Sequence, residues 1–115
     1  MSYHVQLFQR ATQTRFEAAN DPAFFEDEKN LVAFTAANRE RLVSRLELVG
    51  FVAGTQDERG RRFVNEEWGA EAVLTDAGLY LSGSGEDAVF EISMFASESV
   101  DNDVVKFDPQ DGTWE

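Results

Sequence analysis

The fold is decided by residues 26–50, EDEKNLVAFTAANRERLVSRLELVG, which carry the strongest helical pattern in the chain. Their apolar side chains recur about every 3.6 residues with charged side chains between them, as in a helix that packs on a core. Thr35 is a suitable N-cap, so the pattern predicts over 26–49 either one kinked helix or two helices in series. Gly50 and then Phe51 are typical of a helix end at which the chain folds back. The apolar positions are Leu31, Phe34, Leu42, Leu46 and Val49.

Outside this region, short segments alternate apolar and polar side chains, which predicts β-strands with one buried face. The clearest alternation runs over 88–96, AVFEISMFA, which follows a connection rich in Gly and Ser. Residues 12–19 are compatible with a short helix or with irregular structure. The other predicted strands cover 3–9, 70–74, 79–82 and 104–107. Residues 62–65 carry a weaker strand pattern, 51–53 are compatible with the start of a strand, and 113–114 with a short edge strand.

The predicted strands follow one another through short turns, which implies an antiparallel sheet. The apolar stripe of 26–49 must be buried, and one face of that sheet is the surface available to it. We therefore predict a single α+β domain over 1–115, a two-layer sandwich in which one or two helices pack on one face of a mostly antiparallel sheet of about five strands. A length of 115 residues is a common size for one domain.

The charge of the chain excludes several classes of partner. With 22 Asp and Glu against 10 Lys and Arg, the net charge is −12. Binding to nucleic acid depends on many cationic contacts with phosphates, and binding to an anionic membrane surface also needs basic clusters. We therefore expect neither nucleic acid nor a membrane as partner. A basic protein is the partner that such a field would attract.

Most catalytic chemistry lacks its residues in this sequence. There is no Cys, which excludes thiol catalysis, disulfides and Cys-ligated metals. His4 is the single His, so one chain cannot build a two-His metal site, and a nucleophile would have only this one imidazole as its base. We expect no catalytic residue, no metal ligand and no cofactor.

The N-terminal ten residues lack the basic and apolar regions of a signal peptide, which favours a cytoplasmic location. Eight of the ten basic residues are Arg, a bias typical of GC-rich bacterial genomes.

Glu91 is the carboxylate that attracts most attention, because it lies within the predicted strand 88–96. In a central strand covered on both faces it would be a candidate perturbed carboxylate, since burial disfavours the charged form. The simpler interpretation places Glu91 on a solvent-exposed face of the sheet.

Two Trp residues lie among acids and suggest a surface for a basic partner. One group is Glu66, Glu67 and Trp68, and the other is Asp111 with Trp114 near the C-terminus. Trp is common among the residues that anchor protein interfaces. The alternative interpretation is that each Trp closes the edge of the core.

These observations favour a small acidic protein-binding domain without enzymatic activity, of which an antidote or immunity-type protein for a basic partner is one concrete form. Two alternatives remain open. One is a carboxylate-based enzyme or a binder of a small molecule or divalent cation, which predicts a concave pocket with two or more acids. The other is a homo-oligomeric structural or adaptor subunit.

Overall fold

The computed structural model describes residues 2–58, 60–110 and 112–114, which form an α+β fold. The helices are α1 (Arg10–Ala19), α2 (Ala36–Leu48) and α3 (Glu86–Ser99), and two 3₁₀ turns occupy Phe24–Glu26 and Glu28–Asn30. The strands are β1 (Ser2–Gln9), β2 (Val52–Gln56), β3 (Arg61–Asn65), β4 (Ala70–Leu74), β5 (Gly78–Ser84), β6 (Val104–Asp108) and β7 (Thr113–Trp114).

Within these described residues, the strands form one antiparallel sheet in the order β2-β3-β4-β5-β1-β6-β7. The sheet therefore has seven strands, whereas the sequence predicted about five. The sequence indicated β2 only as the start of a strand at 51–53, because all five residues of β2 are exposed and show no alternation of buried side chains. A register shift between Ala53 and Gln56 gives β2 a bulge, a feature that discourages pairing with other sheet edges.

The predicted helical region 26–49 forms an α-helix only in its second part, from Ala36 to Leu48. The N-cap prediction is confirmed, because the Thr35 hydroxyl accepts a hydrogen bond from the Asn38 backbone N–H (3.1 Å) and the Asn38 side chain accepts one from the Thr35 N–H (3.2 Å). At the other end, the Phe51 N–H donates to the carbonyl of Leu46 (2.9 Å), and Gly50 has φ 103°. The prediction of an α-helix from 26 is wrong, since 3₁₀ turns and irregular chain precede Thr35.

The largest error concerns residues 88–96, which form most of α3 and not a strand. Ala88, Ile92 and Phe95 are buried at helical spacing, together with Ala96 and Ser99. Large apolar side chains also occupy the opposite side of this helix, and they produced the apparent alternation. Gly83 of β5 permits α3 to approach closely, because a Cβ at Gly83 would lie 2.8 Å from Ile92 and 2.9 Å from Ala88.

Helical elements cover both faces of the sheet, although the sequence predicted helices on one face. The main core joins α2 and α3 to one face, through residues that include Leu42, Leu46, Ile92, Val5, Leu7, Phe63, Leu79 and Leu81. An aromatic cluster joins α1 and the 3₁₀ segment to the other face at the β1–β6–β7 end, through Phe8, Phe16, Phe24, Phe25, Phe107 and Trp114. Because α3 packs on the sheet with one side, its opposite side, which we call the outer side, faces solvent.

Candidate binding surface on the third helix

The outer side of α3 is unusually apolar for a solvent-exposed helix face. Phe90 is 61% exposed, Met94 45% and Val89 37%. With about 100° of rotation per residue, these three side chains share one side of the helix with Ser93 and Ser97. We call this set, Val89, Phe90, Ser93, Met94 and Ser97, the outer stripe. Its N-terminal part borders a shallow depression of about 600 Å³ that Gly85 and Glu86 help to line.

Acidic side chains follow one border of the outer stripe. Asp87, Glu91 and Glu98 fall within about 40° of one another around the helix axis, on the Met94 side of the stripe. Glu98 is bridged to Arg45 of α2 at 3.4 Å, whereas Asp87 and Glu91 make no ion pair with any residue that the structure describes. We call these three residues the acidic row.

More carboxylates gather at the N-terminal end of α3. Ala70 is paired with Gly83, so the turn between β3 and β4 lies beside the connection from β5 to α3. This turn carries Glu66 and Glu67, both exposed, while Glu86 and Asp87 are exposed in the first turn of α3. Carboxylates also suit this position on α3 because the N-terminus of a helix has a partial positive charge.

The structure separates the two Trp groups that the sequence singled out. Trp68 lies with Glu66 and Glu67 in the β3–β4 turn, but it is only partly exposed. Its ring packs edge-on against the ring of Phe51, with 5.6 Å between the two ring centroids. Trp114 lies on β7 at the far edge of the sheet, 4.7 Å from the Phe107 ring. Both rings therefore close edges of packed clusters, while Asp111 is outside the described residues.

Glu91 lies on α3, not between the two faces of a sheet, and it is partly buried. Its place in the acidic row puts it one helical turn before Phe95, which contacts Phe51. Val89, Phe90 and Met94 were not predicted from the sequence to lie at the surface. The available signal was the helical spacing of Ala88, Ile92, Phe95, Ala96 and Ser99 after an acidic first turn.

A second concave feature lies between α2 and two turns of the sheet. It is a cleft of about 720 Å³, and its charged lining includes Glu40, Asp57, Glu58 and Asp76 with Arg39 and Arg61. Arg39 is 3.5 Å from Asp76, and the Arg61 guanidinium stacks over Phe63 at 5.3 Å. A polar ligand with a cationic group would meet several carboxylates in this cleft.

Residues 2–58, 60–110 and 112–114 contain no group of three or more His, Asp or Glu side chains placed to hold a metal ion. None of the helices in this part of the chain has both the length and the apolar character needed to cross a bilayer.

A scan against protein-family models, a search of curated proteins and a search of solved structures each found no match to this chain.

Proposed function

We propose that this chain is a small protein-binding domain without enzymatic activity, which holds a basic protein partner against the outer stripe and acidic row of α3. One observation carries the proposal: three large apolar side chains lie exposed on one helix beside Asp87 and Glu91, which make no ion pair with the described residues. Apolar patches with a polar border are typical of surfaces that bind other proteins.

The two components of this surface would contribute in different ways. Burial of Phe90, Met94 and Val89 would supply affinity, on the order of 1 kcal/mol for each side chain that loses its contact with water. The carboxylates of α3 and of the β3–β4 turn, together with the net charge of −12, would speed association with a basic partner and orient it. An antidote or immunity-type protein that neutralises a basic protein in the cytoplasm is one form of this proposal.

The proposal is tested by capture of partners on the immobilised full chain from a lysate of the source organism. The wild type should retain a basic protein at near-equal stoichiometry in low salt and lose it in high salt, because salt screens exposed charges. The Phe90→Ser/Met94→Ser variant should not retain this protein. A control variant, Glu17→Gln/Glu26→Gln, removes exposed charges away from α3 and should retain it at nearly the level of the wild type.

Capture of the same protein by the wild type and by the Phe90→Ser/Met94→Ser variant would show that the outer stripe is not the binding surface. If the wild type captures no basic protein in either salt condition, the proposed function is wrong.

A second candidate function, the binding of a small cationic or zwitterionic molecule, is favoured by the cleft beside α2. Its concave lining holds four carboxylates, as the carboxylate-based alternative requires. Free arginine is a suitable probe in a thermal-shift measurement, because a ligand that binds only the folded chain raises the midpoint. The wild type should be stabilised by arginine and Glu58→Gln less so, whereas an unchanged midpoint would remove this candidate.

A further inference from the structure

The shape of the outer stripe bears on which kind of structure the partner presents. Phe90 and Met94 are four residues apart and form a ridge, and the small side chains of Ser93 and Ser97 lie in a row beside it. At the C-terminal end of this row the Ser97 hydroxyl accepts a hydrogen bond from Lys106 Nζ (3.1 Å). A ridge next to a groove is the surface with which one helix packs against another. From Val89 to Ser97 this surface extends about 12 Å along the axis, which is slightly more than two turns.

We propose that the partner docks on α3 through an amphipathic α-helix whose apolar stripe is bordered by basic residues on one side. This inference rests on the proposed function and specifies the partner of the same surface. An extended partner strand would gain its affinity from backbone hydrogen bonds to a sheet edge. The outer side of α3 is a helix face, and the backbone groups within a helix are already paired along its axis.

The distribution of charge defines the partner further. The acidic row borders the stripe on the side of Phe90 and Met94, whereas Val89 lies at the opposite border. A complementary helix therefore needs its Lys or Arg residues along one border of its apolar stripe. A contact of two to three turns is smaller than a standard stable interface of about 1,200–2,000 Å², so we expect a micromolar dissociation constant for an isolated peptide helix and tighter binding for a whole protein that also contacts the β3–β4 turn.

A second copy of the chain is a poorer occupant of this surface. An antiparallel pair of α3 helices would place the two acidic rows along the same border, and a parallel pair would bring the exposed Glu66, Glu67 and Glu86 of both copies close to one another. Such like charges oppose association. Sedimentation of the wild-type chain alone should therefore show a monomer, and a dimer that Phe90→Ser dissociates would overturn the inference.

The direct test uses two labelled synthetic peptides with the full chain. The first is a helix-forming peptide of about 18 residues with Leu at i, i+3, i+4 and i+7 and Lys along one border of that stripe. The second has the same composition in an order that breaks the stripe. Fluorescence anisotropy should show at least about tenfold tighter binding of the first peptide, and Phe90→Ser should reduce that binding by about tenfold, which corresponds to 1.4 kcal/mol.

An exchange of charges tests whether Asp87 and Glu91 pair with the basic residues of the partner helix. The Asp87→Lys/Glu91→Lys variant should lose affinity for the Lys peptide and gain affinity for the same peptide with Glu at the Lys positions. Glu17→Lys/Glu26→Lys changes the net charge equally, on exposed residues away from α3, and should cause a much smaller change. Circular dichroism establishes that each variant is folded.

The outcomes separate this inference from the function on which it rests. Equal binding of the ordered and scrambled peptides, or no binding of either, would overturn the helical partner. A basic protein captured from lysate through Phe90 and Met94 would then still support the proposed function. Failure of that capture would remove the function itself.

Discussion

At the scale of single residues, glycines decide how closely the elements of this fold approach one another. Gly83 lies on β5 under α3, and the space for a side chain there is taken by Ile92, Ala88 and the carbonyl oxygen of Gly69. A sequence pattern cannot show this role, because the neighbours of Gly83 come from a different turn of the chain and from the following helix. From the sequence, this region is recognisable only as a connection rich in Gly and Ser.

We expect Gly83→Ala to destabilise the fold by about 1–3 kcal/mol, because the added methyl group forces α3 away from the sheet. Gly54→Ala is the matched control, since a Cβ at Gly54 on the exposed strand β2 would make only ordinary contacts, the nearest at 3.6 Å. Its effect should lie within about 1 kcal/mol. Urea denaturation measures both values, and equal stability of the two variants would contradict the close approach of α3.

At the scale of elements, α3 is the part of the chain at which local patterns and the structure disagree. The buried side of α3 has helical spacing, but the exposed Phe90 and Met94 fall at the same parity as Ala88 and Ile92, so residues 88–94 show the alternation of a strand. The two misleading residues, Phe90 and Met94, both belong to the outer stripe.

Substitutions on the buried side of α3 should therefore lower the stability of the fold much more than substitutions on its exposed side. Ile92→Ala should lower the free energy of unfolding by about 2–5 kcal/mol, because Ile92 is fully buried in the main core. Phe90→Ser should change it by no more than about 0.5 kcal/mol, because Phe90 faces solvent. Chemical denaturation of both variants distinguishes these effects, and a large loss of stability in Phe90→Ser would mean that Phe90 belongs to the core.

At the scale of the whole molecule, the sheet connects two packed regions on its opposite faces. Trp68 contacts the main core near the β3–β4 turn, and Trp114 belongs to the aromatic cluster at the β7 edge. Because β1 takes part in both regions, through Val5 and Leu7 on one face and Phe8 on the other, we expect them to unfold together. If residues 1–115 form a single domain, as predicted, the two regions should unfold in one cooperative transition.

Two variants with one Trp each provide the measurement. Trp68→Phe leaves Trp114 as the fluorescent reporter of the aromatic cluster, and Trp114→Phe leaves Trp68 as the reporter of the main core. In each variant the Trp fluorescence and the far-ultraviolet circular dichroism should give the same denaturation midpoint, as a two-state transition requires. A midpoint from Trp114 below that of the circular dichroism would show that the aromatic cluster opens separately.

The sequence by itself determined the α+β class, the strands at β1, β3, β4, β5, β6 and β7, and both ends of α2. These features follow from alternation, capping residues and helix-ending glycines, which act between neighbours in the chain. The candidate site was predicted only in part: Glu66, Glu67 and Glu91 were named, but Phe90 and Met94 were assigned to a strand. Only the tertiary structure decided that α3 is a helix, that β1 lies between β5 and β6, and that the two Trp groups lie far apart. Each of these depends on which distant segments bury apolar surface together, and burial of that kind overrides a local pattern.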